Sequence, residues 1–195
     1  MSSTLRSLLI SLLIIAGLTA CGPEPIYDLS DDTYQLRDSD STQVNFPGDF
    51  NGNISLVTFI YTNCPDVCPV ITANMTNIQR ELDDTSGVNF IEITFDPERD
   101  SPSVLKEYQD LYGLNEQFTM LTSHPNDSDA LLDKLDIVAQ KVTVDSLGYD
   151  STNYAIRHSN TLYLMDKDGY IRAEYPAHRV KPEHVKDDIN YLRSE

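Results

Sequence analysis

The feature that most constrains the fold is an apolar run that ends at a pair of cysteines. The run is ISLVTFIYT, residues 54–62, and its β-branched and aromatic residues are typical of a strand buried on both faces. Cys64 and Cys68 follow it directly, and a helical pattern, PVITANMTNIQRELDD, begins after them. A strand of this kind needs a layer of structure on each side, so it predicts the centre of an α/β sheet.

The segments that follow alternate between strand and helix patterns. VNFIEITFD and QFTMLTS have the composition of strands, and DSPSVLKEYQDLYG, NDSDALLDKLDIVA and KPEHVKDDINYLRSE have the spacing or caps of helices. TLYLMDKDGYIRAEYP predicts a β-hairpin, a second hairpin is predicted around RDSDS, and VTVDSLGYDSTNYAI predicts a loop or irregular hairpin. A cysteine pair between a central strand and a helix is the thioredoxin arrangement. The predicted fold is therefore α/β, with a thioredoxin-like central sheet, helices on both faces and an N-terminal β-hairpin.

The first twenty residues differ in kind from the rest. A single Arg6, an apolar run and small residues give the layout of an export signal, and LTAC at its end resembles the lipobox of bacterial lipoproteins. That resemblance implies cleavage before Cys21 and lipidation of Cys21; the alternative is an uncleaved signal anchor with an incidental cysteine. The predicted divisions are residues 1–20 as signal peptide, 21–33 as lipidated cysteine and flexible tether, and 34–195 as the domain. The predicted location is the cell membrane, with the domain on the extracytoplasmic (periplasmic) side.

Charge and cysteine number narrow the function further. The formal net charge is −17 and no cluster of lysine and arginine occurs, which argues against nucleic acid as a partner. Of the three cysteines, one is assigned to lipid, so Cys64 and Cys68 remain as a pair outside the cytoplasm.

The cysteine pair is compatible with three kinds of chemistry. A helix N-terminus favours a thiolate, which both disulfide exchange and metal binding require. Disulfide oxidoreductases place two residues between their cysteines, whereas this chain has three, which leaves room for both sulfurs to face one soft metal ion. A purely structural disulfide is the third alternative, but closing so short a loop removes little entropy from the unfolded chain.

The chain has four histidines, and one of them could supply a third metal ligand. His178 and His184 have charged neighbours and are predicted to be solvated, and His124 precedes a proline at a strand end. His158 directly precedes the hairpin strand, where thioredoxins keep a cis-proline that faces their cysteines. No proline occupies this position, so the order of elements favours His158 as the residue facing the sulfurs.

Three strings resemble the Sco/SenC family of copper proteins: TNCPDVCPV, DPERDSP and RHSNTLYLMDKDG. The resemblance implies a thioredoxin-like fold that binds copper, as Cu(I) or Cu(II), through Cys64, Cys68 and His158. It also implies delivery of copper to the binuclear centre of cytochrome c oxidase, or maintenance of the cysteines of that centre in the reduced state. The partners implied are the copper-bearing oxidase subunit or another exported copper protein, an upstream copper donor, and a membrane.

Some residues depart from the family pattern or allow two interpretations. Arg157 stands where family members often have an aspartate before the histidine. Asp66 and Asp96 are candidates for charge around the metal, although a cap or turn before Pro97 is the preferred interpretation of Asp96. Met75 lies on the inward stripe of its helix, where a core role is expected rather than copper ligation.

The primary hypothesis is a membrane-anchored copper chaperone, whose affinity for copper falls on acidification because its thiols and imidazole must be deprotonated. The rival hypothesis is a thiol–disulfide reductase that acts on exported proteins and has no need of His158. A peroxide-reducing enzyme on the same fold is disfavoured, because no activating arginine and threonine are evident near the loop.

Overall fold

The structure, a computed structural model, describes residues 24–123, 128–143 and 154–195. The predicted signal peptide, Cys21 and His124 lie outside these described residues. Within them, elements occur in nearly the predicted order. The strands are β1 (Tyr27–Asp28), β2 (Tyr34–Asp38), β3 (Gln43–Phe46), β4 (Ile54–Ile60), β5 (Val88–Thr94), β6 (Phe118–Ser123), β7 (Ala139–Thr143), β8 (Tyr154–His158), β9 (Thr161–Met165) and β10 (Tyr170–Pro176). The α-helices are α1 (Val67–Glu81), α2 (Pro102–Tyr112), α3 (Ser128–Lys134) and α4 (Pro182–Ser194).

Strand β4 lies inside an eight-stranded sheet of order β1-β10-β9-β4-β5-β6-β2-β3. It pairs in parallel with β5 and antiparallel with β9, and all seven of its residues are buried. Fully burying each large apolar side chain contributes about 1.5–3 kcal/mol, so this run is a main source of stability. The prediction that residues 54–62 form a strand buried on both faces is confirmed.

Helices α1 and α2 cover one face of the sheet. The Thr72 hydroxyl on α1 donates a hydrogen bond to Glu92 on β5 over 3.1 Å, and it lies 3.0 Å from the Tyr108 hydroxyl on α2. The side chain of Glu92 therefore points toward both helices. Helix α1 also packs against α4, so three helices share this side.

The segment that ends α3 covers the other face. Tyr163 on β9 is in register with Val57, and Glu92 is in register with the next residue along β4, Thr58. Because neighbouring residues on a strand point to opposite faces, Tyr163 points away from Glu92. The Tyr163 hydroxyl donates a hydrogen bond to the backbone oxygen of Leu135, directly after α3. Helices on both faces of a thioredoxin-like sheet are thus confirmed. The predicted N-terminal hairpin is β2–β3, in which β2 pairs with β6 and β3 forms the edge of the sheet.

One expectation needs correction. Strand β1 pairs with β10 and Leu29 is fully buried, so the ordered domain includes residues from Tyr27 onward that the sequence assigned to a tether. The sequence did not predict this strand, because it is only two residues long among polar neighbours. Its structure depends on its pairing with β10, which is distant in the sequence. The segment predicted as a loop or irregular hairpin contributes to β7 and β8, which agrees with the hairpin alternative. These two strands pair antiparallel as a separate ribbon, in which Ala139 lies opposite His158.

Candidate metal centre

The loop that carries the cysteines is fixed by a buried carboxylate. The backbone N–H and the hydroxyl of Thr62, just beyond β4, donate to Asp100 over 3.0 and 2.5 Å, and the Thr94 hydroxyl at the end of β5 donates over 2.5 Å. Burial raises the pKa of Asp100, although these hydrogen bonds partly offset it. Ser101, the next residue, occupies the cap position of α2. Asp100 therefore ties the start of the cysteine loop to the neighbouring strand.

Cys64 and Cys68 lie at the junction of this loop with α1, and both are free thiols. The helix begins at Val67, one residue before Cys68 rather than after the pair, and the backbone N–H of Cys68 points at the Cys64 sulfur over 3.5 Å. Cys64 is 7% exposed and Cys68 is fully buried. The site thus offers one sulfur near the surface and one beneath it.

The two thiols differ in acidity. Burial acts to raise the pKa of Cys64, but hydrogen bonds from the backbone of Cys68, Asp66 and Val67, and from the Cys68 thiol, together hold that pKa below its ordinary value. Burial raises the pKa of Cys68 strongly, and the nearby Cys64 adds to the rise. The first thiolate to form is therefore that of Cys64, as expected for a sulfur facing a helix N-terminus.

His158, the last residue of β8, faces these sulfurs. Its Nε2 lies 3.8 Å from the Cys68 sulfur, and its Nδ1 lies 2.8 Å from the backbone oxygen of Ser159. A carbonyl oxygen only accepts hydrogen bonds, so Nδ1 carries the proton and the Nε2 lone pair points at the cysteine. Burial lowers the pKa of His158, and the Ser159 hydrogen bond opposes this only in part. The imidazole is thus held neutral and oriented, as metal binding requires.

Two aromatic rings fix the plane of this imidazole. The ring centroid of Phe95 is 4.5 Å from that of His158, and the Tyr61 ring meets the imidazole edge-on at 5.8 Å. Tyr61 follows β4 directly and Phe95 follows β5. The sequence interpretation missed both residues, although an aromatic residue directly after each of two neighbouring buried strands was the available signal.

The ligand atoms of Cys64, Cys68 and His158 all lie within 4.8 Å of one another. Two sulfurs and one imidazole nitrogen form a soft donor set that fits Cu(I), and the imidazole extends the set to Cu(II) or zinc. The histidine chosen from the order of elements is therefore the one that the fold brings to the cysteines. In the part of the chain that the structure describes, this is the one cluster of such residues with the geometry to hold a metal ion.

The other candidates lie elsewhere. Asp66 in the cysteine loop is exposed, and Arg157 is exposed on the opposite side of β8 from His158. Met75 is buried in the core on α1, which confirms the core interpretation. His178 and His184 are both exposed, in agreement with their predicted surface positions.

Asp96 contributes to the site without joining the cluster. Its fully buried carboxylate forms an ion pair with Arg99 and accepts a hydrogen bond of 2.5 Å from the Tyr154 hydroxyl. It thus acts neither as a metal ligand nor merely as a turn former before Pro97. Tyr154 begins the strand that ends at His158, and sequence reasoning gave no role to Tyr154 or Arg99.

The lengths and compositions of the helices within the described residues bear on whether any of them could span a membrane. None of them combines the length and the apolar composition that crossing a bilayer requires.

Comparison with known proteins gives a consistent match. The family profile described as SCO1/SenC matches residues 27–193. A SCO2-like protein of Rickettsia typhi is 37% identical over 146 residues, which cover 74% of this chain and 67% of that protein. The chain thus spans about two thirds of the length of this relative.

Solved structures agree with this match. The structure of Bradyrhizobium japonicum ScoI with copper bound is similar with a TM-score of 0.67 and 28% identity, covering 82% of this chain and 97% of that one. The structure of BsSco, described as a member of the Sco family of cytochrome c oxidase assembly proteins, is similar with a TM-score of 0.66 and 24% identity, covering 87% of this chain and 95% of that one. The second likeness supports the fold.

Proposed function

Because the chain belongs to the SCO1/SenC family, we propose that it binds one copper ion and passes it to an exported copper protein. The observation that carries the proposal is the convergence of Cys64, Cys68 and His158 within 4.8 Å. The copper-bound relative from Bradyrhizobium japonicum supports the choice of metal. In this proposal copper is the transported ion and not a resident cofactor, and the chain supplies a site that binds and releases it.

The three residues divide this work. Cys64, with its lowered pKa and its position near the surface, is the sulfur that first meets an incoming ion. Cys68, buried and less acidic, loses its proton as the ion is bound, and this proton release makes the affinity rise with pH. His158 adds a neutral nitrogen, which matters more for Cu(II) than for Cu(I) because the softer ion is well served by two thiolates.

The recipient in the proposal is the copper-bearing subunit of cytochrome c oxidase, and the copper comes from an upstream donor outside the cytoplasm. Family membership supports this assignment. The test is to mix the protein loaded with one equivalent of Cu(I) with the metal-free subunit and to measure copper in each after separation. The proposal expects copper in the binuclear centre of the subunit; copper that stays with its original protein contradicts delivery.

The proposed location is the outer side of a membrane, held there by lipid on Cys21, and the LTAC string supports it. In cells fed a labelled fatty acid, the full chain should carry label, whereas Cys21→Ala should carry none, because lipid attachment requires the sulfur. Cys64→Ser is the matched control and should keep the label. A Cys21→Ala chain that is still labelled overturns the anchor.

A second candidate, a thiol–disulfide reductase, is favoured by the opposed acidities of the two cysteines. The Cys64 thiolate would attack a disulfide of a partner and form a mixed disulfide, and deprotonated Cys68 would displace it. The pair would end as an intramolecular disulfide, and the two sulfurs of the partner would be released as thiolates, one taking the proton of Cys68 and the other a proton from solvent. This activity needs no imidazole, so His158→Ala should retain it and lose Cu(II) binding. An equal loss of both activities in His158→Ala would argue against an independent reductase.

A further inference from the structure

The two halves of the metal centre are attached to the domain differently. Cys68 is part of α1, which packs on the main sheet, whereas His158 ends β8, whose ladder partner is β7. Within the described residues, the ladder of the β7–β8 ribbon includes no strand of the eight-stranded sheet. The position of His158 relative to the sulfurs must therefore be fixed by something other than sheet pairing.

The C-terminal end of β8 is tied down through the backbone. Thr161 enters the main sheet as the first residue of β9, three positions after His158, and the backbone oxygen of Asn160 accepts a hydrogen bond from Ala177 over 2.9 Å. A single tether of this kind leaves a strand free to pivot. Contacts at the other end of β8, at Tyr154, would hold the strand at a second point.

Three side chains hold that other end, and we term them the clasp: Asp96, Arg99 and Tyr154. The Tyr154 hydroxyl donates to Asp96 over 2.5 Å, and Arg99 donates to the Tyr154 backbone oxygen over 3.0 Å. The Arg99 guanidinium carbon also lies 3.7 Å from the centroid of the Tyr154 ring, and Arg99 forms an ion pair with Asp96. Each member thus contacts the other two, by charged hydrogen bonds and a cation–π contact.

The geometry of β8 transmits this hold to the imidazole. Side chains alternate along a strand, so Tyr154, Ile156 and His158 share the face turned toward the domain, while Ala155 and Arg157 are exposed. The backbone N–H of Ile156, midway along, points at the Tyr61 hydroxyl over 3.4 Å. Strand β8 pairs with β7 over its whole length, from Tyr154 to His158, so we expect a displacement at Tyr154 to reach His158.

We propose that the clasp is a positioning device that keeps the His158 nitrogen within reach of the cysteine sulfurs and thereby sets the preference for Cu(II) relative to Cu(I). The inference rests on the proposed copper-binding function. Two thiolates satisfy Cu(I), but Cu(II) depends on the imidazole, so a loosened β8 penalises Cu(II) selectively. None of the clasp residues touches the metal in this account.

The test compares Tyr154→Phe with the parent in the purified full chain. The change removes one hydroxyl and leaves the ring that Arg99 covers. Tyr175→Phe is the matched control, because it removes a hydrogen bond of the same 2.5 Å length, from Tyr175 on β10 to Asp188 on α4. We expect Tyr154→Phe to weaken Cu(II) about tenfold, the effect typical of removing a residue that orients a metal ligand, and to change Cu(I) affinity less than about twofold.

Spectroscopy and the metal-free protein give independent readouts. The nitrogen hyperfine coupling and the thiolate-to-Cu(II) absorption should change in Tyr154→Phe and not in Tyr175→Phe. In the metal-free chain, the amides of residues 154–158 should exchange with solvent faster in Tyr154→Phe, while those of α1 remain unchanged. Asp96→Asn, which weakens both contacts of the carboxylate, should produce the same pattern with larger amplitude.

The outcomes separate the clasp from the function. A parent chain that fails to bind copper stoichiometrically overturns the proposed function, and amide exchange in the metal-free chain still decides whether the clasp holds β8. The contrary result is a parent that binds copper and a Tyr154→Phe variant that has the same ratio of Cu(II) to Cu(I) affinity and the same amide exchange as the parent. That result would refute the proposed role of the clasp. Equal weakening of both ions in Tyr154→Phe also contradicts it, because that pattern indicates general damage to the fold.

Discussion

The sulfur half and the histidine half of the metal centre are built in different ways. Cys68 shares the buried face of α1 with Ile71, Met75 and Ile78, and the helix lies on a sheet whose central strand, β4, is fully buried. His158 stands on a two-stranded ribbon held by polar side chains and two aromatic rings. Cys68 is therefore positioned mainly by the hydrophobic core, while the imidazole is positioned mainly by contacts that single substitutions can remove.

Removal of a thiol should have the largest effect on copper binding. Cys64→Ser or Cys68→Ser should abolish stoichiometric Cu(I) binding and weaken the affinity on the order of a thousandfold, about 4 kcal/mol, because a hydroxyl is a hard donor and a poor ligand for Cu(I). Competition with a chromophoric Cu(I) chelator measures the change. Cys21→Ser controls for loss of a cysteine and should bind as the parent does; normal binding by Cys64→Ser refutes the site.

Removal of the imidazole should have a smaller and more selective effect. His158→Ala should weaken Cu(II) about a hundredfold and Cu(I) less than about tenfold, because the two thiolates remain in place. Parallel titrations with each ion under anaerobic conditions provide the measurement. His178→Ala, a change at an exposed histidine, is the control, and an equal loss for both ions would show that the two halves are not distinct.

The core beneath the cysteines contains one residue that destabilises the fold at high pH, Glu92. This side chain is fully buried, its Oε1 has no hydrogen-bond partner, and burial raises its pKa to about 8, with only the Thr72 hydroxyl opposing the rise. The folded state therefore binds a proton that the unfolded chain releases near the ordinary value of about 4.3. Stability should consequently fall as pH rises from that value through about 8.

Glu92→Gln tests this cost. The amide keeps an acceptor for Thr72 and cannot ionise, so the free energy of unfolding at pH 8 should rise by about 1–3 kcal/mol, with little change at pH 4. Urea unfolding at both pH values measures it. Glu107→Gln, at an exposed position on α2, is the control. An equal change at both pH values would mean that ionisation of Glu92 does not burden the fold.

Local patterns were sufficient to predict most of the elements. The apolar composition of residues 54–62 predicted β4, the helical spacing of Ile71, Met75 and Ile78 predicted α1, and the Lys167-Asp168-Gly169 turn predicted the β9–β10 hairpin. The order of these elements then placed His158 opposite the cysteines. Each inference depended on neighbours in the sequence or on a general rule of α/β topology.

The sequence could not show which residues that are far apart in the chain contact each other in the fold. Asp96 and Tyr154 are 58 positions apart, and nothing in either local pattern announces the hydrogen bond between them. The same is true of Asp100, whose three donors come from Thr62 and Thr94, and of β1, a strand of two residues that exists through its pairing with β10. Contacts between side chains distant in sequence depend on the finished fold, so the support of the site emerged from the structure alone.

The central claim is that Cys64, Cys68 and His158 form one copper site. The most direct test is X-ray absorption at the copper edge of the reduced protein loaded anaerobically with one equivalent of Cu(I), alongside His158→Ala. The account predicts two sulfur ligands and one nitrogen ligand per copper in the parent, and loss of the nitrogen in the variant with both sulfurs retained. A nitrogen contribution that persists in His158→Ala, or copper bound without sulfur, would contradict it.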